Sequence, residues 1–300
     1  MAWHIRVPWL VDVVLVSAPD EIRALDEEPL VDRNFIVRGP LINRLITGRI
    51  RQWFEIMGRP LPSLAPRGDA VRAERQRELA AALDPDSEGG RLLWSDAQLG
   101  TLSTYVRGGS SDESAAITTQ EIIGRLFDPN YSADRATWSA ATLIDKFRDG
   151  FSPVQIVWLI TGQLRRARDL LVARAKEDRW AMHGTAIGVH GVVQALARMR
   201  ELRALPHPES LSDDAVLARC LAPPKQVPRT VEGLLATPYA DASLRPGAVV
   251  LLQLESAGPS APDDEMVFMR GHWNACPARA MVIALLRSVW HRSLKETGPA

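Results

Sequence analysis

The stretch Val267-Phe268-Met269-Arg270-Gly271-His272-Trp273-Asn274-Ala275-Cys276-Pro277-Ala278-Arg279 delivers one cysteine to the start of an apolar segment, Ala278 to Trp290, that reads as a closing helix. Proline is favoured at the first helical position, where its missing N–H would have no partner anyway, so Pro277 predicts Cys276 as the N-cap. A sulfur placed there faces free amide donors and the positive end of the helix dipole, which favour thiolate over thiol. A thiolate serves as a nucleophile or as a metal ligand, and this geometry alone does not choose between them. A buried, inert cysteine at a helix start is the third reading.

Working outward, Gly247 to Leu254 reads as a strand, and Val11-Asp12-Val13-Val14-Leu15-Val16, rich in β-branched residues, as another. Ser17-Ala18-Pro19-Asp20-Glu21 then opens a helix to about Leu25. Gly58, Pro60, Pro62, Pro66 and Gly68 make a loop before a charged helix, Asp69 to Leu83, on which Arg72, Arg75 and Arg77 cluster. Asp84 to Gly90 is a further break, and Gly108 to Ser114 reads as mobile. From Thr118 to about Leu205 the pattern is helical, broken at Asp128-Pro129-Asn130 and at Gly150-Phe151-Ser152-Pro153. The expected architecture is mainly α with a small β part, in a single domain over residues 1–300.

Composition excludes several classes. Charges balance, 36 basic against 36 acidic, which argues against a polyanion and leaves nucleic acid an unexpected partner. The two cysteines, Cys220 and Cys276, have no metal-finger spacing and point to a reducing compartment. No apolar run approaches the ~20 residues of a membrane-spanning helix. The first apolar stretch, Trp9 to Ala18, is interrupted by Asp12 and lacks a basic flank, so it reads as a strand and not as a signal peptide. The expected location is the cytoplasm.

One helix, roughly Asp178 to Leu202, carries Gly184, Gly188 and Gly191, although each glycine costs about 1 kcal/mol against alanine. Their spacing predicts a single bare face, extended by Ala181 and Ala195, with His183, Thr185 and His190 at its margins. Such a face suits a neighbouring helix or a planar ligand.

Phe268-x-x-Gly271, a polar and aromatic stretch, then Cys276-Pro277-Ala278-Arg279 resembles the haem-binding loop of the cytochrome P450 family. Ala181-Met182-His183-Gly184-Thr185 is similar to that family's distal helix, and Ala215 to Pro224 followed by Val227-Pro228-Arg229-Thr230 to its double proline and "pro-arg-thr" strand. The resemblance covers about Val11 to Leu286. It implies haem b with Cys276 as the axial iron ligand, bounded by Phe268 and Gly271, with Gly184 and Gly188 against the ring. It implies Arg229, with His272 or Arg270, on a haem carboxylate, and one of Arg72, Arg75 and Arg77 on the second. It places Thr185, with His183 or His190, in proton delivery, because histidine titrates near neutral pH. The partners it implies are a small or lipophilic organic substrate and a ferredoxin or reductase electron donor.

The departures are several. Gly184 stands where the distal helix has an acid, Arg219 has no glutamate three residues before it, and only Glu255 to Val267 replaces the family's long meander. The loop from Gly271 to Cys276 is one residue longer, its basic residue is His272, and Ala278 replaces a glycine. Loss of the acid favours peroxide-driven oxygenation, or rearrangement or dehydration of a substrate already carrying an O–O or N–O bond, over monooxygenation. The alternative from another class is a catalytically degenerate binding or partner module. A cysteine-nucleophile enzyme is the third, with His272 as its local base.

Overall fold

The computed structural model describes residues 2–33, 35, 37–56, 58–86, 94–148, 158, 161–235, 244–260 and 264–296. They divide into two compact units, each made of two separated stretches: residues 1–77 with 222–276, and residues 78–221 with 277–300.

The first unit carries the sheet. Strand β1 (Ala2–Val7) forms an antiparallel hairpin with β2 (Val11–Val16), a pairing the alternation from Trp9 onward does not reveal. Helix α1 (Pro19–Glu27) follows, with Pro19 and the acids Asp20 and Glu21 in its first turn, where fixed φ and the dipole favour them. Next come β3 (Val31–Asp32), α2 (Leu41–Trp53), the short pair β4 (Glu55–Ile56) and β5 (Arg59–Pro60), and α3 (Ala70–Ala82). After the second unit's segment the chain returns through β6 (Val227–Val231) and β7 (Val249–Leu252).

The strand order is β1-β2-β7-β6-β3, with β2 and β7 parallel (Val13 opposite Val249) and the other neighbours antiparallel. Val14, Val16, Val250 and Leu252 face Ile22 and Leu25 of α1 and Met266 in one apolar core. Gly39 and Gly247 lie back to back, both with positive φ, and a Cβ at Gly39 would stand 2.6 Å from the Gly247 carbonyl oxygen.

The second unit is helical. Helix α4 (Asp96–Val106) starts at a capping box formed by Ser95 and Gln98. In α5 (Asp112–Arg125) the Ser111 hydroxyl accepts from the Ser114 N–H. The segment expected to be mobile, Gly108 to Ser114, is thus a turn followed by a capped helix start, and the helical stretch begins six residues before Thr118. The break at Asp128-Pro129-Asn130 is present. Beside it Tyr131 packs so close to Gly124 that a Cβ there would overlap the ring. Then follow α6 (Arg135–Arg148), α7 (Gln163–Arg174), α8 (Arg179–His183), α9 (Val189–Arg203) and α10 (Asp213–Cys220). The break at Gly150 to Pro153 lies outside the described residues, as do residues 87–90.

Two short helices of the first unit, α11 (Leu254–Ala257) and α12 (Glu265–Phe268), precede the cysteine, and the closing helix α13 (Arg279–Lys295) belongs to the second unit. Among the described residues no helix is long and apolar enough to cross a membrane.

A candidate cofactor site at the cysteine loop

Helix α12 ends at Phe268, and Met269 (φ 51°) and Gly271 (φ 82°) reverse the chain in the left-handed region. Successive turns follow: His272 N–H donates to the Met269 carbonyl, Ala275 N–H to that of His272 and, at 2.8 Å, Cys276 N–H to that of Phe268. Phe268 and Gly271, expected beside the ligand cysteine, therefore shape its loop directly, one through its carbonyl and the other through its φ.

Cys276 is exposed and not in a disulfide. It is not the N-cap, however. Pro277 and Ala278 form a turn, Ala278 caps α13 without a side-chain bond, and the cysteine stands three residues ahead of the first helical residue. Burial pushes the other thiol, Cys220, up to about 12 and leaves it a packing residue.

The loop is anchored by charge. His272 Nδ1 lies 2.9 Å from Asp26 Oδ2, and its Nε2 lies 3.2 Å from Glu265 Oε1. Arg229 Nη2 donates to Asp26 Oδ1 at 3.0 Å, and Arg23 grips both oxygens of Glu265 at 2.7 and 2.8 Å. Asp26 and Arg229 are 1% and 0% exposed. Arg229 and His272, expected on haem carboxylates, are thus given to Asp26 of α1. Each oxygen of this buried carboxylate takes one of the two, while the Nε of Arg229 has no acceptor among the described residues.

These contacts set the titration. The hydrogen bond to Asp26 holds His272 above its ordinary value against the opposing effect of burial. Burial is the largest single influence on Asp26 and raises it, but the bonds and charges of His272 and Arg229 together carry it below the usual carboxylate value. Glu265 is lowered chiefly by Arg23. A cleft of about 430 Å³ opens here, with Arg23, Asp26, Arg67, Glu265, His272 and Trp273 among its walls.

A second group of cations surrounds Trp273. The guanidinium carbons of Arg33, Arg72 and Arg67 lie 4.5, 4.8 and 5.3 Å from its ring centroid. Arg67 donates to the Asp26 and Glu27 carbonyls. Arg72 donates to Gln76 at 2.6 Å, and Gln76 donates to the Ala275 carbonyl at 2.5 Å, one residue from the cysteine.

Arg33 is 6% exposed, yet among the described residues no carboxylate lies within ion-pair distance of it. Among the described residues the buried Nε atoms of Arg33, Arg67 and Arg72, like that of Arg229, have no acceptor. Burial, then the charges of Arg229 and Arg72, pushes Arg33 well below its ordinary value. Guanidinium groups gathered in this way have the chemistry to meet a carboxylate, and the nearby acids Asp32 and Asp69 partly offset their charge. Of the three arginines on α3, Arg72 is the one that joins this group. Arg33 carries no sequence motif; its only signal is its place beside Asp32 at a strand end.

The remaining expected residues lie in the second unit. Thr185 is fully buried and its hydroxyl donates to the Ala181 carbonyl at 2.7 Å, while Gln120 Nε2 donates to the Thr185 carbonyl. Between α8 and α9 the residues Gly184–Gly188 form one π-helical turn. The extra residue rotates the following turns, so the expected continuous glycine face is broken. Ala181 and Ala195 are buried, Gly188 and Gly191 exposed. A Cβ at Gly184 would meet Ile123 at 3.0 Å, which makes that glycine a helix-packing position. His190 is buried against Trp138, ring centroids 4.9 Å apart, with Asp145 at 3.9 Å; His183 is half-buried.

No family model and no curated protein matches the chain. Solved structures do. A cytochrome P450 from Thermus thermophilus is similar with a TM-score of 0.58 and 14% identity, over 97% of this chain and 83% of that one. P450BioI in complex with an acyl carrier protein ligated to hexadec-9Z-enoic acid gives 0.61 and 15%, over 97% and 86%. Cytochrome P450-153 from Novosphingobium aromaticivorans gives 0.58 and 13%, over 97% and 84%. The fold is that of the cytochromes P450, mainly α with a small mixed sheet, in a divergent chain shorter than these neighbours.

Proposed function

We propose that the chain is a single haem-thiolate domain, an oxidoreductase that binds haem b through Cys276 and acts on a small or lipophilic organic substrate. The observation that carries this reading is the pairing, within one unit, of an exposed cysteine with Arg33 and Arg72, both buried and without an ion pair among the described residues. Among the described residues no group of three His, Cys, Asp or Glu side chains could hold a metal ion, so a metal at Cys276 brings its other ligands with it, as haem iron does. Bound haem supplies redox chemistry in which the thiolate pushes electron density onto iron and favours O–O cleavage.

The chain's own residues then divide the work. Arg33 and Arg72, with Arg67, receive the carboxylates of the cofactor. Asp26, through His272 and Arg229, fixes the loop so that Cys276 is presented in one orientation. Thr185, His183 and His190 are assigned to the distal side by resemblance. The Thr185 hydroxyl is engaged with Ala181, and Gly184 offers no acid. Both favour peroxide-driven or redox-neutral chemistry over reductase-fed monooxygenation. The acyl chain on the acyl carrier protein in complex with one fold neighbour is in keeping with a lipophilic substrate.

The test is a spectrum. Purified protein reconstituted with haemin, reduced and exposed to carbon monoxide should show the red-shifted Soret band of thiolate ligation, and Cys276→Ala should abolish it. Protein that takes up no haemin would overturn the reading in favour of a binding module without turnover.

A further inference from the structure

Hairpin β1–β2 and the start of α2 present apolar side chains to solvent in an arrangement that neither the haem reading nor the core explains. On β1 the outward residues Trp3, Ile5 and Val7 are 66%, 50% and 46% exposed, and at the tip Trp9 is 90% and Leu10 43% exposed. The tip is joined to α2 by backbone bonds, Leu41 N–H to the Trp9 carbonyl and Ile42 N–H to that of Leu10, both 2.8 Å. Leu41, Leu45 and Ile46 continue the exposed apolar surface, and Val37 borders it above Gly48. An outer sheet face is ordinarily polar where it meets water. Contiguous apolar exposure of this kind marks an interaction surface.

The charges on the same segments select the partner. None of the chain's 36 acidic residues falls within residues 1–11 or 34–54, which carry Arg6, Arg38, Arg44, Arg49 and Arg51, in a protein whose net charge is zero. Arg6, Arg38, Arg44 and Arg51 are exposed. Of the two acids that flank these segments, Asp12 is buried and taken up by His4 at 2.7 Å, and Glu55 pairs with Arg51 at 2.6 Å. Aromatic and branched apolar side chains interleaved with arginines that outnumber the flanking acids match an anionic lipid surface: the rings enter the headgroup boundary and the guanidinium groups meet phosphate. Trp9 adds a backbone argument. It holds φ 63°, a conformation costly for a bulky residue, while its side chain rests on almost nothing.

We propose that this face, the β1–β2 tip with the first turns of α2, is a peripheral docking surface for anionic membranes, which would bring the protein to a source of lipophilic substrate without a spanning helix. The test is co-sedimentation of the full chain with vesicles of phosphatidylcholine alone and of phosphatidylcholine mixed with phosphatidylglycerol. Binding should require the anionic lipid and weaken with salt. Arg44→Gln should weaken it roughly fivefold, and Trp9→Gly combined with Leu45→Gln at least about tenfold. Glycine adopts the Trp9 backbone conformation freely, so that variant stays folded, which circular dichroism verifies. Equal binding to both vesicles, no binding, or a dimer in sedimentation velocity that the same substitutions dissolve would overturn the proposal; the last would assign the face to a second copy of the chain.

Discussion

Asp26 Oδ2 and His272 Nδ1 meet at 2.9 Å across 246 residues of sequence, and the other oxygen of the same carboxylate holds Arg229. One buried acid on α1 thereby ties together the strand that precedes the cysteine loop and the loop itself.

Asp26→Asn should be among the most destabilising polar substitutions in the first unit. It leaves a buried guanidinium and an imidazole facing a neutral amide, and breaking a buried pair costs about 3–5 kcal/mol. Urea unfolding gives the value. His272→Asn added to Asp26→Asn should cost less than the sum of the single changes, because the two share one interaction. A cost below about 1 kcal/mol, the range of surface pairs, would remove Asp26 from this role.

The same network predicts how stability depends on pH. His272 is raised in the folded state, so its contribution is full below its ordinary 6.5 and fades as pH rises through the folded value. Asp26 and Glu265 are lowered, so their contributions are full above their ordinary 3.8 and 4.5 and fade as pH falls. Thermal unfolding across pH should show greatest stability between about 4.5 and 6.5, with an alkaline decline that His272→Asn abolishes. An unchanged alkaline limb in that variant would place the titrating group elsewhere.

Arg33 and Arg229 are both buried arginines, but among the described residues only Arg229 has a carboxylate within ion-pair distance, and they should respond oppositely. Arg33→Leu relieves an uncompensated charge and should leave the ligand-free protein as stable or more so, while weakening haemin binding by about tenfold, the loss of one charge-assisted contact. Arg229→Leu should destabilise the protein whether or not haemin is present, because it strips Asp26 of a partner. Equal effects of the two on stability and on haemin titration would show that Arg33 serves only the packing of Trp273.

Much of the fold is legible in local patterns, and the site is legible only in part. The β-branched run of β2, the proline-opened α1 and the turn at Asp128-Pro129-Asn130 are decided by residues within a few positions of one another. Cys276, Phe268 and Gly271 stand in one contiguous loop, so their grouping is local as well. Pro277 misleads about the cap because a turn separates it from α13, and a π turn in the glycine helix leaves no mark in a pattern counted at about 3.6 residues per turn. Asp26 and Arg33 escape entirely: an acid on a helix and an arginine at a strand end acquire meaning only when segments some 200 residues apart converge. Arg229 and His272, which the resemblance puts on haem carboxylates, each meet a carboxylate of the protein's own, Asp26.

The two cysteines offer a direct measure of the ligand assignment. Alkylation requires access and thiolate. Cys220 is fully buried with its thiol pushed up to about 12, so near pH 8 about one molecule in ten thousand carries a thiolate there, and iodoacetamide should modify it only on unfolding. Cys276 is exposed and should be modified in the folded, haem-free protein. Once haemin is bound, the sulfur is committed to iron and the modification at Cys276 should stop, while Cys220 stays unchanged; peptide mass spectrometry reads both sites in one sample. Arg72→Leu should restore part of the labelling at limiting haemin by weakening the hold on its carboxylates. If Cys276 remains equally reactive at saturating haemin, the cofactor binds without it, and the thiolate reading of the loop fails whatever the fold.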